Sequence, residues 1–193
     1  MKARGIEIKA DPQYFKAFAE IMGRLEKAAG DGPVVVCVSG GAALHLYTGA
    51  RVSKDIDAKI LARFLPPENL EVSYRDPDGH ARLLYFDTQF NDSYALLHED
   101  AYDDAIPIQV PGVDPRRLEV RLLTPLDLAV SKLSRFETHD QEDIAALARE
   151  GLIDSASLSK RASEALPGYV GQVDHVRTSI GLAAKLIDAN RPG

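Results

Sequence analysis

The chain has 193 residues, 45% of them hydrophobic and 27% charged, a composition that fits one folded domain with or without an appendage and excludes disorder. Lys and Arg number 23 against 29 Asp and Glu, a formal charge of −6, so there is no broad positive field for non-specific binding of nucleic acid. The one cysteine, Cys37, cannot form an intramolecular disulfide, and apolar runs such as Val34–Val38 are far too short to span a bilayer. Residues 1–5 lead into no apolar segment, so no signal peptide is expected. A soluble cytoplasmic protein with no membrane partner is the expectation.

Asp11 followed by Pro12 predicts a helix start, and Phe15, Phe18, Ile21, Met22 and Leu25 recur at helical spacing up to Gly30. A turn over 31–33 precedes the β-branched run Val34–Val38, which reads as a buried strand. Ser39, Gly40 and Gly41 break that strand and open a short helix over 42–47; a second strand is expected over 55–61. Strands are predicted over 70–74, 82–90, 106–110 and 118–123, separated by turn sequences such as Asp76-Pro77-Asp78-Gly79. From Thr124 the pattern turns helical, with helices predicted over 124–136, 141–150, 155–165 and 170–189. The acidic stretch 98–104 reads as a solvated loop. The fold class is α/β, a mixed sheet packed on helices over 1–123 followed by a C-terminal helical segment over 124–193.

The chemistry is concentrated in 34–61. Glycines let backbone approach a ligand closely, and the N–H groups of a helix start make an anion site, which suits Ser39, Gly40 and Gly41. Asp55 and Asp57, two apart on one strand, put two carboxylates on one face while Ile56 points into the core. Adjacent carboxylates repel each other unless a cation lies between them, and Mg2+ prefers such oxygen donors together with substrate phosphates. The pattern predicts a nucleoside triphosphate held by backbone amides and bridged to Asp55 and Asp57 by metal.

The runs Gly40-Gly41-Ala42-Ala43-Leu44 and Arg51-Val52-Ser53-Lys54-Asp55-Ile56-Asp57 resemble the signature of the polymerase-β-like nucleotidyltransferase superfamily, and most of all its minimal bacterial branch of abortive-infection and toxin-type proteins. The resemblance implies a nucleotidyltransferase-like fold, phosphate binding by Ser39, Gly40 and Gly41, and metal binding by Asp55 and Asp57. It continues at 124–133, where Lys132 matches a helix-borne lysine, and at 140–144, where Asp143 matches a late aspartate; both belong to that branch's active site. A third carboxylate on a later strand is also implied, as metal ligand or general base. Asp87 is the first choice and Glu119 the second. The activity implied is magnesium-dependent transfer of a nucleoside monophosphate from a triphosphate to an acceptor hydroxyl on tRNA, protein or a small molecule. A toxin role with an antitoxin partner comes with it. The alternative is an inactive fold of this kind serving as a binding module.

Several residues carry a second reading. Arg51 clamps a phosphate or pairs with a surface acid. Lys132 reaches the nucleotide or lays its stem on the core with its amine in water. Asp143, three residues after Asp140, sits where the partner in a helix cap would lie, as does Asp127 relative to Thr124. The five histidines show no ligand spacing, so zinc is not expected, and Cys37 reads as core.

Overall fold

Helix α1 (Pro12–Ala28) begins where Asp11 and Pro12 predict: the Asp11 carboxylate accepts from the backbone N–H groups of Gln13 and Tyr14, at 2.9 and 3.0 Å. Its inward stripe is Tyr14, Phe18, Ile21 and Leu25, all fully buried, with Phe15 displaced to the edge. Burying each such side chain stabilises by about 1.5–3 kcal/mol. The computed structural model describes residues 6–30 and 32–192; the expectations placed on residues 1–5 and on Asp31 lie outside the described residues.

The chain divides into two units. The first holds the residues up to Phe90 together with Ala105–Leu122; the second holds Asn91–Asp104 and the residues from Leu123 onward.

In the first unit, β1 (Val34–Val38) is an inner strand, buried as its run of valines predicts. It pairs parallel with β7 (Leu118–Leu122) and antiparallel with β3 (Ala58–Ile60), while β6 (Ile106–Ile108) pairs antiparallel with β7. A second sheet has β5 (Ala81–Phe86) at its centre, parallel to β2 (Asp55–Ile56) and antiparallel to β4 (Glu71–Arg75). Helix α1 packs on β4, β5 and β7, and α2 (Gly40–Thr48) on β2. The fold is therefore α/β with mixed sheets packed on helices, as expected, but with two sheets in place of one.

The strand expected over 55–61 accounts for the second sheet. It is interrupted at Asp57, so that Asp55 and Ile56 pair in one sheet and Ala58–Ile60 in the other. The alternation survives the switch, with Ile56 and Ala58 both buried, which is why the sequence reads as one strand. The strand expected over 82–90 stops at Phe86, because the Asp87 carboxylate accepts from the N–H of Gln89 at 2.8 Å and turns the chain.

The second unit is helical: α3 (Pro125–Ser131), α4 (Thr138–Arg149), α5 (Ser155–Ala165), a short 3₁₀ turn at Leu166–Gly168, and α6 (Val173–Asn190). Helix α6 packs on α4 and α5, and α3 on α4 and α5. The stretch 91–104 belongs to this unit, and within it 98–104 is the expected loop, with Glu99, Asp100, Asp103 and Asp104 exposed, pinned by a few inward residues. Leu96 and Ala101 are fully buried, and Asp104 binds Arg161 of α5 at 2.7 Å. Among the described residues, no helix is long and apolar enough to cross a membrane.

Candidate nucleotide and metal site

The strand-to-helix turn after β1 is built around two close approaches. Gly40 has φ +58°, and a Cβ placed on it would lie 2.1 Å from Oδ2 of Asp57. Gly41 faces Ser53 in the same way, with Oγ 2.8 Å from a Cβ position, and a terminal nitrogen of Arg51 at 3.5 Å from it. Only glycine permits both the left-handed backbone at Gly40 and a carboxylate seated against it.

Ser39, the residue before α2, makes no side-chain cap; its hydroxyl and its N–H both donate to the Asp57 carbonyl, at 3.3 and 2.8 Å. The switch between sheets is thereby tied to the start of α2. The Asp57 carboxylate is held at a helix N-terminus, where the helix dipole favours negative charge or an anion bound through a cation.

Asp55 is fixed from its other side. Ser53, itself buried, donates its hydroxyl to Asp55 Oδ1 at 2.5 Å. Asp55 and Asp57 are both half-buried. Asp87 directly follows the Ile56–Phe86 pair of β2 and β5, its N–H donating to the Ile56 carbonyl at 3.1 Å. The parallel ladder pairs Asp55 with Tyr85 and Ile56 with Phe86, and Asp57 and Asp87 each follow its last pair. Half-exposed carboxylates beside a glycine cradle form an all-oxygen donor set, which fits a hard divalent cation such as Mg2+. Glu119, the second choice for the third carboxylate, lies on β7 and accepts from Arg121 Nε at 2.9 Å.

Among the described residues, one group of three or more His, Cys, Asp or Glu side chains has ligand atoms all within 4.8 Å of one another: Asp76, Asp78 and His80, in the β4–β5 hairpin. There the Asp76 carboxylate already accepts from the His80 N–H and from Arg82 Nε, both at 2.8 Å. Asp55, Asp57 and Asp87 do not form such a group.

Lys132 and Asp143 lie in the second unit. Lys132 is buried and ends α3, and its Nζ donates to Asp143 Oδ2 at 2.6 Å, with Asp140 Oδ1 at 3.8 Å. The expectation of a lysine stem on the core with its amine in water is corrected: the amine is enclosed with two aspartates. Helix α4 starts three residues earlier than predicted, so the capping box pairs Glu137 with Asp140, not Asp140 with Asp143. Asp140 also receives two hydrogen bonds from Arg135, both at 2.8 Å. Burial raises its pKa, but these bonds and the charges of Lys132 and Arg135 outweigh burial and hold it below the usual carboxylate range. Asp127 takes the capping role predicted for it, its N–H donating to Thr124 Oγ1 at 3.0 Å, and it also binds Arg161.

Sequence reasoning missed Tyr14 and His45. Their rings meet edge to face with centroids 4.5 Å apart, and the Tyr14 hydroxyl and His45 Nε2 are buried without a hydrogen-bond partner. The helical stripe reads through Phe15 rather than Tyr14, and nothing in the sequence signals that these two polar atoms are buried.

The model of one protein family matches residues 14–170, and that family is described as a nucleotidyltransferase of unknown function (DUF6036). The chain belongs to this family. The match agrees with the superfamily resemblance of the Gly40-Gly41 and Asp55-Ile56-Asp57 motifs, and it reaches into both units of this DUF6036 protein, ending before α6. Comparison with curated proteins and with solved structures gives no match.

Proposed function

We propose that the protein is a magnesium-dependent nucleotidyltransferase that moves a nucleoside monophosphate from a triphosphate to an acceptor hydroxyl. The observation that carries this is the seating of the Asp57 carboxylate on Gly40 at the start of α2, with Asp55 two residues before it and the Asp87 N–H bonded to the intervening Ile56 carbonyl. In this reading the α2 amides over Ser39, Gly40 and Gly41 orient the triphosphate, and Arg51 binds its outer oxygens bidentately. Asp55, Asp57 and Asp87 hold the cation, and when bound it neutralises charge on the reacting phosphate and the leaving pyrophosphate. The acceptor hydroxyl attacks the α-phosphorus, its proton passes to Asp87, and pyrophosphate departs. The chain's contribution is placement and charge, with no covalent intermediate.

The same proposal extends to a cytoplasmic setting, where nucleoside triphosphates are abundant. The motif resemblance adds a toxin role with an antitoxin protein as partner. The acceptor is RNA, a protein side chain or a small molecule, and the overall acidity disfavours extended contact with RNA phosphates.

A second reading, an inactive fold that binds nucleotide or a protein partner, is favoured by one observation: the three carboxylates do not already form a mutual ligand cluster. Incubating the protein with each α-labelled nucleoside triphosphate, Mg2+, and panels of RNA, protein and small hydroxyl compounds separates the readings. Magnesium-dependent transfer of label, lost in Asp57→Asn, is expected. Magnesium-dependent nucleotide binding without transfer to any acceptor favours the inactive module, and no binding at all defeats both.

A further inference from the structure

Ile56, Val72, Leu84 and Phe86 turn one face of the second sheet inward, beneath α1 and α2. Successive residues of a strand point to opposite faces, so Asp55, Glu71, Ser73, Leu83 and Tyr85 share the other face. That face is open. Leu83 is 44% exposed, Glu71 and Ser73 are exposed, and Asp55 and Tyr85 are half-buried.

The ladder sets these side chains in rows. Tyr85 of β5 pairs with Asp55 of β2 on one side and with Glu71 of β4 on the other. Leu83, two residues earlier on β5, pairs with Ser73. The Tyr85 N–H donates to the Lys54 carbonyl at 2.9 Å, which ties this row to the residue before Asp55. Adjacent strands lie about 4.8 Å apart, so the Tyr85 side chain starts one strand from Asp55, and Glu71 starts about twice as far away. A solvated sheet face ordinarily carries polar residues; here an aromatic ring and a leucine lie side by side on it, next to a candidate metal-binding carboxylate.

Charge and reach decide what fits this platform. A carboxylate stands at each end of the Asp55–Tyr85–Glu71 row, so phosphates are disfavoured across it and are left to the α2 amides and the cation. A flat neutral group is not disfavoured. In a nucleoside triphosphate held at Asp55 through its phosphates, the sugar sets the base off to one side, over the neighbouring strand. Every base has a π-face that can stack on an aromatic side chain, and N–H groups on its edge can donate to a carboxylate such as Glu71.

We infer that the open face of the second sheet is the nucleoside subsite, where the base of the triphosphate stacks on Tyr85 with its outer edge toward Glu71. The inference rests on the nucleotide-site reading above, which assigns residues to the phosphates and the cation alone.

The test uses the 193-residue chain with Tyr85→Leu, Tyr85→Phe and Tyr85→Trp. Calorimetry measures binding of each of the four nucleoside triphosphates and of inorganic tripolyphosphate, which has phosphates but no base, all with Mg2+. Tyr85→Leu is expected to raise the Kd of the tightest-bound nucleotide about tenfold, the order lost when a stacking aromatic is removed, and to leave tripolyphosphate within about twofold. Tyr85→Phe keeps the ring and should bind both within about threefold of the parent. The chain has no tryptophan, so Tyr85→Trp supplies a lone fluorescent reporter. Its emission should be quenched by magnesium-nucleotide and not by magnesium tripolyphosphate; if Tyr85→Leu fails to fold, this result decides. Three results overturn the inference: an unchanged nucleotide Kd in Tyr85→Leu, equal weakening of nucleotide and tripolyphosphate, or no quenching specific to the base. Asp57→Asn separates the levels. If it weakens tripolyphosphate binding while the Tyr85 variants show no base-specific effect, the inference fails and the phosphate site stands. If the parent binds neither nucleotide nor tripolyphosphate, the nucleotide reading fails and the inference falls with it.

Discussion

At Gly40 two independent constraints coincide, a left-handed backbone and the Asp57 carboxylate 2.1 Å from where a Cβ would sit. Gly40→Ala adds about 1–2 kcal/mol of backbone strain and forces Asp57 off its seat. The expected outcome is a lower metal-free Tm together with loss of the stabilisation given by magnesium-nucleotide. Asp57→Asn should behave differently, because it keeps the shape and removes one of two neighbouring negative charges. Its metal-free stability should equal or slightly exceed the parent's, while the ligand-induced rise in Tm shrinks. Asp55→Asn follows the same logic, since Asn retains an oxygen for the Ser53 hydroxyl. Melting curves with and without magnesium-nucleotide check all three; metal-free destabilisation with an unchanged ligand shift would return the pair to a purely structural role. Lys132 belongs to another class. Its enclosed amine lies 2.6 Å from the Asp143 carboxylate, so Lys132→Ala should cost about 3–5 kcal/mol by taking a bound counter-charge from a buried carboxylate. Lys132→Met combined with Asp143→Leu should restore most of that loss in urea unfolding.

Helix α4 shows how an element's start sets its pH response. Asp140, 1% exposed at the side chain, closes the capping box and binds Arg135, and its pKa is lowered in the fold. A lowered carboxylate contributes stability that is present above its unfolded pKa of about 3.9 and is lost as pH falls through the folded value. Arg135→Gln is therefore expected to destabilise by about 1 kcal/mol at pH 7, discounted because the guanidinium is largely exposed. The difference from the parent should fade as pH drops below the ordinary carboxylate range. Urea midpoints of both proteins between pH 7 and pH 2.5 measure this, and a difference constant across that range would remove Asp140 as its source. The three-residue error at this helix has a physical origin, since Glu137–Asp140 and Asp140–Asp143 offer the same cap spacing. Only burial of Asp143 against Lys132 distinguishes them. The Asp57 break was hidden similarly, because the two-residue period is identical on either sheet. Leu96 and Ala101 were masked by the acids around them. The glycine turn and the carboxylate pair were legible because their residue types are restricted by chemistry: left-handed backbone at Gly40, and two like charges two residues apart. Tyr14 and His45 were not, because an unmet hydrogen bond is a property of the packed interior and leaves no mark on residue type.

The charge of the whole molecule is unevenly held. Fifteen Lys and Arg stand against fourteen Asp and Glu in the first unit, and eight against fifteen in the second. The helical unit therefore carries the excess acid, and at neutral pH its exposed carboxylates repel one another. Its buried pair, Lys132 with Asp143, is screened little by salt, and the partly buried Arg161 with Asp127 less than a surface pair. Exposed pairs such as Arg177 with Asp174 contribute about 0–1 kcal/mol each and are weakened by salt. Net repulsion and surface pairing thus respond to salt in opposite directions, and with nearly twice as many acids as bases in this unit repulsion should dominate. Metal-free Tm is expected to rise as NaCl increases from low ionic strength to about 0.5 M, where the Debye length falls to roughly 4 Å. Triphosphate binding in the near-neutral first unit should move the other way, because attraction between an anionic ligand and Arg51 with the α2 amides is screened. Melting and calorimetric titration with magnesium-nucleotide across one NaCl series measure both slopes. A Tm that falls with salt would show that surface pairs, not net charge, govern the electrostatics of the fold. A nucleotide affinity that does not fall would mean that charge recognition of the triphosphate is not what holds it.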